Sequence, residues 1–371
     1  MRIVADENMP ALTPFESLGQ VTRVNGRTLT RDQLQDTEVL LVRSVTRVDR
    51  ALLEGTPVRF VGSATIGTDH IDRQALRELG IAFAHAPGCN ARAVAEYVLQ
   101  ALLLACHKQG RTLRESRVGI VGLGNVGGRL ADWLNALGVT VIGCDPPLAR
   151  AGTRAPVPLG PLDAALEADL ITLHVPLTRD GDDATHHLID AGRLVRLGPD
   201  QTLISTCRGP VIDNRALATR LEEEDAPLTL LDVWENEPCL DPALLDRVFL
   251  GSPHVAGYSM EGKWRGTAML YRAWCHWRGE SAPEMAPPTE DAELDAPVHD
   301  EADLLALLRR AYRLHEDDAR LREAVRAPDP GAAFDALRKE YPARHELLYW
   351  RHAGGVAAPF KPLVSRLFAP E

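Results

Sequence analysis

The sequence predicts an α/β protein built on parallel sheets, and three observations carry this prediction. Short apolar runs alternate with helical patterns along most of the chain, which is typical of βα units. The stretch Arg117–Asp145 combines a strand, a glycine-rich turn, a helix and a second strand that ends in an acid. The chain has 371 residues, too many for one ordinary core, so we expect two or three domains.

The N-terminal region predicts a small parallel sheet. Its helices are predicted over Arg73–Leu79, which Gly80 closes, and over Arg92–Cys106, an apolar stretch that leads to the glycine-rich turn. The strand candidates are Ile3–Ala5, Val39–Val42, Arg59–Val61 and Ile81–Ala84.

The glycine-rich turn has the spacing of a dinucleotide-binding site. In such a turn the first glycine permits the tight bend, the second lets a pyrophosphate approach the backbone, and the third lets the helix pack closely on the sheet. The helix N-terminus adds N–H groups and a partial positive charge for the phosphates. The residues predicted to contact the cofactor here are Gly122, Gly124, Asn125, Val126 and Gly127.

Asp145 indicates that the dinucleotide is NAD rather than NADP. It ends the second strand of the motif, where its carboxylate can accept hydrogen bonds from both ribose hydroxyls. A 2′-phosphate would be repelled there, and the next residues, Pro146–Leu148, supply no arginine to compensate. We therefore predict NAD as the cofactor.

Composition argues against several other classes of function. The net charge is −11 without a dense Lys/Arg block, which argues against a nucleic-acid or acidic-membrane surface. No apolar stretch reaches the roughly 18 residues of a membrane span, and the N-terminus opens with a strand-like run rather than a signal peptide. The six cysteines show no CxxC or metal-ligand spacing, so we expect reduced thiols, no metal site and a cytoplasmic protein.

Polar residues follow the carboxyl ends of successive strand candidates after Asp145. Ligands bind at this edge of open α/β sheets. Four strand candidates follow Asp145: Leu170–Val175, Gln201–Ser205, Leu228–Val233 and Val248–Leu250. Each of the last three is followed by one polar residue of interest, namely Arg208, Glu237 and His254 in that order.

These three residue types suit the oxidation of a 2-hydroxy acid. An arginine can hold a carboxylate through paired hydrogen bonds. A neutral histidine can take the hydroxyl proton near pH 7, and a carboxylate beside it fixes the ring and favours its protonated form. Taken singly, each residue could instead have a structural role. Arg208 could be an ion-pair partner, Glu237 an acid at the start of a helix, and His254 a histidine whose hydrogen bonds are all made within the fold.

The C-terminal part predicts a linker and a small further domain. Ser281–Pro297 is rich in proline, alanine and acids, as linkers are. Helical spacing covers Tyr258–Glu280 before it, and Ala302–Val325 and Phe334–Tyr341 after it. The piece after the linker is roughly 75–85 residues long, near the lower size for an independent domain, which leaves open that its core needs a partner subunit.

Several motifs make the chain resemble the D-isomer-specific 2-hydroxyacid dehydrogenases over roughly residues 35–280. Besides the glycine-rich turn, these motifs are Ala64–Asp72, Val94–Tyr97, Cys207–Asp213, Asp232–Pro238 and Pro253–Gly257. The resemblance implies a Rossmann-like NAD-binding domain, a smaller flavodoxin-like α/β substrate domain and the catalytic set Arg208, Glu237 and His254.

The resemblance also implies roles for individual residues. Arg208 would bind the substrate carboxylate, His254 would accept the hydroxyl proton, and Glu237 would pair with His254. Further implied cofactor contacts are Asp145, Val175, Thr206, Cys207, Arg208, Asp232 and Gly257. Implied substrate contacts are Ser44, Thr65, Arg208 and Tyr258. Arg43, beside Ser44, is a candidate phosphate ligand, with an ordinary surface arginine as the alternative.

A narrower resemblance is to a branch of that family that acts on a phosphorylated four-carbon 2-hydroxy acid. Its motifs are Asp6–Pro10, Val42–Thr46, Ala86–Asn90, Cys144–Pro147 and His254–Tyr258. This branch carries a small C-terminal α+β dimerisation domain, which implies a homodimer. The implied domains are 1–93 with 258–284 for substrate, 94–257 for NAD and 285–371 for dimerisation.

Two other functions stay open from the sequence. One is a dehydrogenase of another phosphorylated hydroxy acid, such as 3-phosphoglycerate. The other is an NAD-sensing binding protein on the same scaffold, which could retain the same three polar residues without catalysis. The Arg43–Ser44 match and the C-terminal extension favour the enzyme that uses the four-carbon phosphate.

Overall fold

The computed structural model describes residues 1–285 and 292–369 and forms two compact units. One unit comprises Met1–Asn90 and residues 259–285, and the other comprises Ala91–Tyr258 and residues 292–369. Because the C-terminal segment belongs to the second unit, the three-domain division stays a prediction. The predicted linker, Ser281–Pro297, lies partly outside the described residues.

The first unit is a five-stranded parallel sheet with helices. Numbered along the chain, its strands lie in the order 2-1-3-4-5, the flavodoxin-like order, which confirms the predicted class. The strands are Arg2–Asp6, Gln20–Val24, Val39–Val42, Phe60–Ser63 and Ala82–His85. The α-helices are Thr13–Glu16, Arg50–Leu53, Arg73–Glu78 and Met260–Arg278, with a 3-10 helix at Arg31–Leu34.

Aromatic packing joins the long helix Met260–Arg278 to the sheet and to the short helix Thr13–Glu16. The ring of Tyr271 meets Phe15 edge-on at 5.2 Å, and Trp274 meets Phe60 edge-on at 5.3 Å. These side chains are buried, so this face of the helix closes the core of the unit. The helix was predicted over Tyr258–Glu280, two residues longer at each end than the structure shows.

The second unit contains a six-stranded parallel sheet of Rossmann type. Numbered within this sheet, the strands lie in the order 2-1-3-4-5-6. The second strand lies on one side of the first, and the remaining four follow on its other side. The strands are Arg117–Val121, Thr140–Cys144, Leu170–Leu173, Thr202–Ser205, Leu228–Leu231 and Leu250–Gly251. Its α-helices before residue 259 are Ala91–Lys108, Asn125–Leu137, Pro146–Arg150, Leu162–Leu166, Ala191–Leu194, Asn214–Arg220 and Pro242–Arg247, with a 3-10 helix at Gly209–Val211.

The helix Ala91–Lys108 runs through the core of the second unit. Its residues from Ala91 to Cys106 are buried, including the polar side chains of Arg92, Glu96 and Gln100. Arg92 donates hydrogen bonds to backbone carbonyls near the C-terminus, and Glu96 accepts one from the backbone N–H of Leu347. Within the described ranges, every helix falls short of the length or apolar character needed to span a bilayer.

The C-terminal segment packs as α+β structure in the second unit. Its two short parallel strands are Glu293–Asp295 and Arg351–Ala353. Its α-helices are Glu301–Ala311, Leu314–Ala324, Pro330–Lys339 and Lys361–Phe368, with a 3-10 helix at Leu347–Tyr349. A single helix over Ala302–Val325 is wrong, because the backbone is extended at Tyr312 (φ −141°). There the carbonyl of Tyr312 accepts a hydrogen bond of 3.0 Å from the Gln100 amide, outside any helical ladder.

Candidate active site

The glycine-rich turn has the geometry that a dinucleotide requires. Gly122 has φ +90°, and a Cβ there would come within 2.7 Å of the His174 carbonyl oxygen. A Cβ on Gly127 would come within 1.9 Å of the Gly122 carbonyl oxygen, so the third glycine allows the helix to approach the turn. A Cβ on Gly124 would meet no atom within 4 Å, so the second glycine faces open space beside the helix N-terminus. That space leaves room for a phosphate.

Asp145 joins the turn to the following helix. Its Oδ2 accepts a hydrogen bond of 2.8 Å from the backbone N–H of Leu123, and its Oδ1 accepts one of 2.9 Å from Leu148. A carboxylate has about four acceptor positions, so Asp145 keeps capacity for ribose hydroxyls. Together with the turn and the N-terminus of Asn125–Leu137, this arrangement fits NAD.

The ends of the next two strands bring the remaining predicted cofactor contacts together. Leu173 pairs with Ser205 in the sheet, so Val175 and Thr206 follow neighbouring strand ends. The His174 ring lies between Thr172 (3.0 Å) and Thr206 (3.4 Å), and burial lowers its pKa to about 3, so this histidine is neutral. Burial also raises the pKa of the Cys207 thiol, which argues against a nucleophilic thiolate.

Arg208 and Glu237 follow adjacent strands, and their loops touch. Leu231 pairs with Ser205, and a Cβ on Gly209 would come within 1.9 Å of the Trp234 carbonyl oxygen. Only glycine allows this backbone contact. The Arg208 guanidinium donates a hydrogen bond of 2.7 Å to the carbonyl of Cys207.

His254 and Glu237 form a direct pair. Nδ1 of His254 lies 2.8 Å from Oε2 of Glu237, whose other oxygen accepts the backbone N–H of Trp234 at 2.9 Å. Burial by itself would raise the pKa of Glu237, but the His254 imidazole and the Arg338 guanidinium outweigh it and lower this pKa. His254 has φ +57°, a left-handed conformation that is uncommon outside glycine. The arrangement is that of a proton-accepting histidine oriented by a carboxylate.

Asp232 builds the loop that holds His254. Its Oδ1 accepts hydrogen bonds from the Ser252 hydroxyl at 2.6 Å and from the Val255 N–H at 2.8 Å, and its carbonyl accepts the His254 N–H at 2.8 Å. The residue is 1% exposed, and burial raises its carboxyl pKa. Its predicted contact with the cofactor, like that of the half-buried Gly257 nearby, stays a prediction.

The predicted substrate contacts Ser44 and Thr65 lie in the first unit, and Tyr258 lies in the second. Val42 pairs with Ser63, so Ser44 and Thr65 follow neighbouring strand ends. The Thr65 hydroxyl lies 2.7 Å from that of Ser63 and donates to the Gly67 carbonyl at 2.9 Å.

Lys263 is a cation near Arg43 that the sequence motifs do not indicate. Burial and the charge of Arg43 lower the pKa of Lys263 to about 8. Two cations whose charges repel each other are both stabilised by an anion bound beside them. No sequence motif indicates this pairing, because Lys263 lies in a helix 220 residues after Arg43.

A second contact that sequence reasoning missed anchors the Glu237 loop. Nε2 of His187 lies 2.7 Å from Oε1 of Glu235, and Oε2 of Glu235 accepts the backbone N–H of Asn214 at 3.1 Å. His186 brings a third possible metal-ligating atom within 4.8 Å of these two side chains. These hydrogen bonds explain the cluster, because they hold Glu235 and with it the loop that carries Glu237.

Comparisons with known proteins show the family of this chain. The chain matches the family model for the D-isomer specific 2-hydroxyacid dehydrogenase, NAD binding domain, over residues 92–256. It is 52% identical to an erythronate-4-phosphate dehydrogenase of Marinobacter nauticus, covering 93% of each chain. It is 48% identical to the enzyme of that name from Pseudomonas aeruginosa, covering 100% of this chain and 99% of the relative. The chain belongs to the D-isomer specific 2-hydroxyacid dehydrogenase family.

Membership of this family confirms the predicted enzyme class, an NAD-dependent oxidoreductase. A solved structure, D-lactate dehydrogenase of Aquifex aeolicus, has the same fold with a TM-score of 0.62 at 22% identity, covering 76% of this chain and 96% of that one. Residues 285–350 match a second family model, described as a domain of unknown function (DUF3410).

Proposed function

We propose that this dehydrogenase oxidises 4-phospho-D-erythronate to (R)-3-hydroxy-2-oxo-4-phosphooxybutanoate with NAD, a step of pyridoxal 5′-phosphate biosynthesis. The observation that carries the chemistry is the His254–Glu237 pair, 2.8 Å apart at the carboxyl edge of the NAD-binding sheet. The full-length relatives named erythronate-4-phosphate dehydrogenase support the choice of substrate.

The roles of the three polar residues follow from their chemistry. Nδ1 of His254 is engaged by Glu237, so Nε2 is the nitrogen that accepts the proton of the C2 hydroxyl. The ionised Glu237 stabilises the imidazolium that results. Arg208 holds the substrate carboxylate by paired hydrogen bonds and polarises the C2 oxygen. NAD, when bound, supplies the acceptor for the hydride that leaves C2.

Arg43 and Lys263 provide the charge for the substrate's phosphate. Arg43 follows the strand Val39–Val42 and directly precedes Ser44, and the charge of Lys263 interacts with that of Arg43 in the same unit. A phosphate dianion would relieve the repulsion between the two cations and would hydrogen-bond the Ser44 hydroxyl. This reasoning favours a phosphorylated acid over an unphosphorylated one.

The test is NADH formation by the purified protein with 4-phospho-D-erythronate, run beside 3-phosphoglycerate. A parallel series contains added 2-oxo acids, so that turnover is seen even when the cofactor stays bound. Selective turnover of the four-carbon ester is the expected result. Turnover of 3-phosphoglycerate instead would overturn the substrate assignment, and NAD binding without turnover of either would favour the sensing protein.

The remaining proposals concern assembly and location. The protein acts in the cytoplasm as a homodimer, with residues 285–371 as the dimerisation domain. The support is the resemblance of the C-terminal extension and the small size of that segment. Sedimentation of the full chain tests the assembly, and a monomer at micromolar concentration would contradict it.

A further inference from the structure

Side chains of the C-terminal segment hold the loop that follows His254. Arg344 donates hydrogen bonds to the carbonyls of Ala256 at 3.2 Å and Ala93 at 3.0 Å, and its guanidinium lies over the Tyr312 ring at 4.0 Å. All of these contacts are within the second unit. The segment is therefore built into the frame of the active site, beyond any role in dimerisation.

Tyr258, at the end of that loop, is enclosed by two residues of the segment. Its ring meets Tyr341 edge-on at 5.7 Å, and the Arg338 guanidinium lies over it at 5.9 Å and is hydrogen-bonded to its hydroxyl. Tyr341 is fixed in turn, because its hydroxyl donates to Asp317 at 2.8 Å. The ring of Tyr258 is thus contacted by the helix Pro330–Lys339 and by Tyr341, which follows that helix.

Arg338 also faces the catalytic carboxylate. The carboxylates of Glu237 and Asp232 both act electrostatically on its guanidinium, which lies 6.0 Å from the ring centre of Phe334 on the same helix. Its Nε is buried and has no hydrogen-bond partner among the residues the structure describes. The position of this cation is therefore set by the Tyr258 ring and the two carboxylates rather than by a complete set of hydrogen bonds.

We infer that Arg338 is a positioning residue of the reaction, which orients Tyr258 for the substrate and places a fixed positive charge beside the His254–Glu237 pair. This inference rests on the proposed oxidation of a phosphorylated 2-hydroxy acid. It gives the C-terminal segment a part in catalysis within its own subunit.

The electrostatic part of the role follows from what surrounds Glu237. The groups that face its carboxylate are the His254 ring, the Arg338 guanidinium and the backbone N–H of Trp234. Burial opposes ionisation, and Arg338 is the one permanent cation in this set. Without it, the carboxylate would protonate at a higher pH and would stop supporting the imidazolium of His254.

The experiment compares Arg338→Gln and Arg338→Lys with the parent enzyme over a range of pH. For Arg338→Gln we expect kcat/KM at pH 7 to fall about tenfold or more, with the acid limb of the profile about one pH unit higher. For Arg338→Lys we expect the acid limb to return to the position it has in the parent enzyme, because lysine keeps the positive charge. We expect KM to stay above the parent value, because lysine lacks the planar group that lies over Tyr258. Arg313→Gln, at an exposed ion pair of the same segment, is the matched control.

A second readout does not need turnover. A carbon-13 NMR titration of the Glu237 carboxyl, assigned with Glu237→Gln, follows its ionisation in the NAD-loaded protein. An upward shift in Arg338→Gln supports the inference even when 4-phospho-D-erythronate proves to be the wrong substrate. An unmoved titration and an unmoved acid limb, whether or not the melting temperature falls, would reduce Arg338 to a structural residue and overturn the proposal.

Discussion

Nδ1 of His254 lies 2.8 Å from Oε2 of Glu237, although 17 residues separate them in the chain. Two strands of the Rossmann-type sheet bring them together, because Leu228–Leu231 and Leu250–Gly251 are neighbours and both end at the same edge. Asp232 and Trp234 then fix the two loops through backbone hydrogen bonds. These hydrogen bonds hold the pair in the geometry that a proton-accepting site needs.

Replacing Glu237 with glutamine tests the charge of this pair. Glutamine keeps an oxygen for the Trp234 N–H but cannot stabilise an imidazolium, so we expect kcat to fall by roughly 10²-fold. Steady-state kinetics measure the loss, and NAD binding by fluorescence is the control. Unchanged kcat would remove Glu237 from the reaction.

Replacing His254 with asparagine tests the base while respecting the backbone. His254 has φ +57°, and asparagine is among the residues that tolerate this conformation, whereas alanine would add strain. We expect turnover to fall by roughly 10²- to 10⁴-fold with an unchanged melting temperature. Near-normal NADH formation by the variant would exclude His254 as the proton acceptor.

Replacing Arg208 with lysine tests how the substrate carboxylate is held. Lysine keeps the positive charge but cannot form the paired, planar hydrogen bonds of a guanidinium. We expect kcat/KM to fall by roughly 10²-fold while NAD affinity stays near normal. An equal loss of both would point to a folding defect instead.

The sequence predicts most of the fold because buried parallel strands are apolar throughout. The strand Gln20–Val24 was missed because it is an edge strand with exposed and half-buried residues, so it lacks that signal. The break at Tyr312 was missed for another reason. There the carbonyl of Tyr312 accepts a hydrogen bond from Gln100, 212 residues away, and no local pattern can show such a contact.

The residues of the candidate site also fall into two groups, those that local sequence motifs indicate and those that only tertiary packing reveals. The glycine-rich turn and the order of Arg208, Glu237 and His254 are local motifs at strand ends, so the sequence identifies them as candidates. Lys263 and Arg338 carry no motif. They matter only because tertiary packing brings them to Arg43 and Tyr258, and an isolated basic residue in a helix is usually a solvated side chain.

Lys263 predicts how substrate affinity depends on pH. The pKa of Lys263 is lowered to about 8, so the side chain loses its charge as the pH rises through that value. The substrate's phosphate is already mostly a dianion above pH 7, so we expect KM for 4-phospho-D-erythronate to rise above pH 8 because of Lys263 alone. Lys263→Met should raise KM at pH 7 roughly tenfold and should remove most of the further increase in KM above pH 8.

Two controls make that prediction specific. Arg272→Met removes an exposed cation from the same helix and should leave KM unchanged. D-erythronate, which lacks the phosphate, should bind Lys263→Met and the parent enzyme equally. A pH-dependent KM that survives in Lys263→Met would assign the effect to another group.

Glu96 predicts how stability depends on pH. Burial and the neighbouring Glu346 raise the pKa of Glu96 from 4.5 to about 8, against the opposing charges of Arg344 and Arg92. Between these two pH values the folded protein keeps a proton that the unfolded chain releases, so the free energy of unfolding falls as the pH rises from 4.5 to about 8 and then levels off. In Glu96→Gln, which keeps an acceptor for the Leu347 N–H, this loss should shrink by roughly 3 kcal/mol between pH 5 and pH 8. Urea unfolding at pH 5 and pH 8 measures this decrease in the free energy of unfolding. Glu323→Gln, at an exposed position, is the matched control. An equal decrease in the parent protein and in Glu96→Gln would show that Glu96 is ionised in the folded protein.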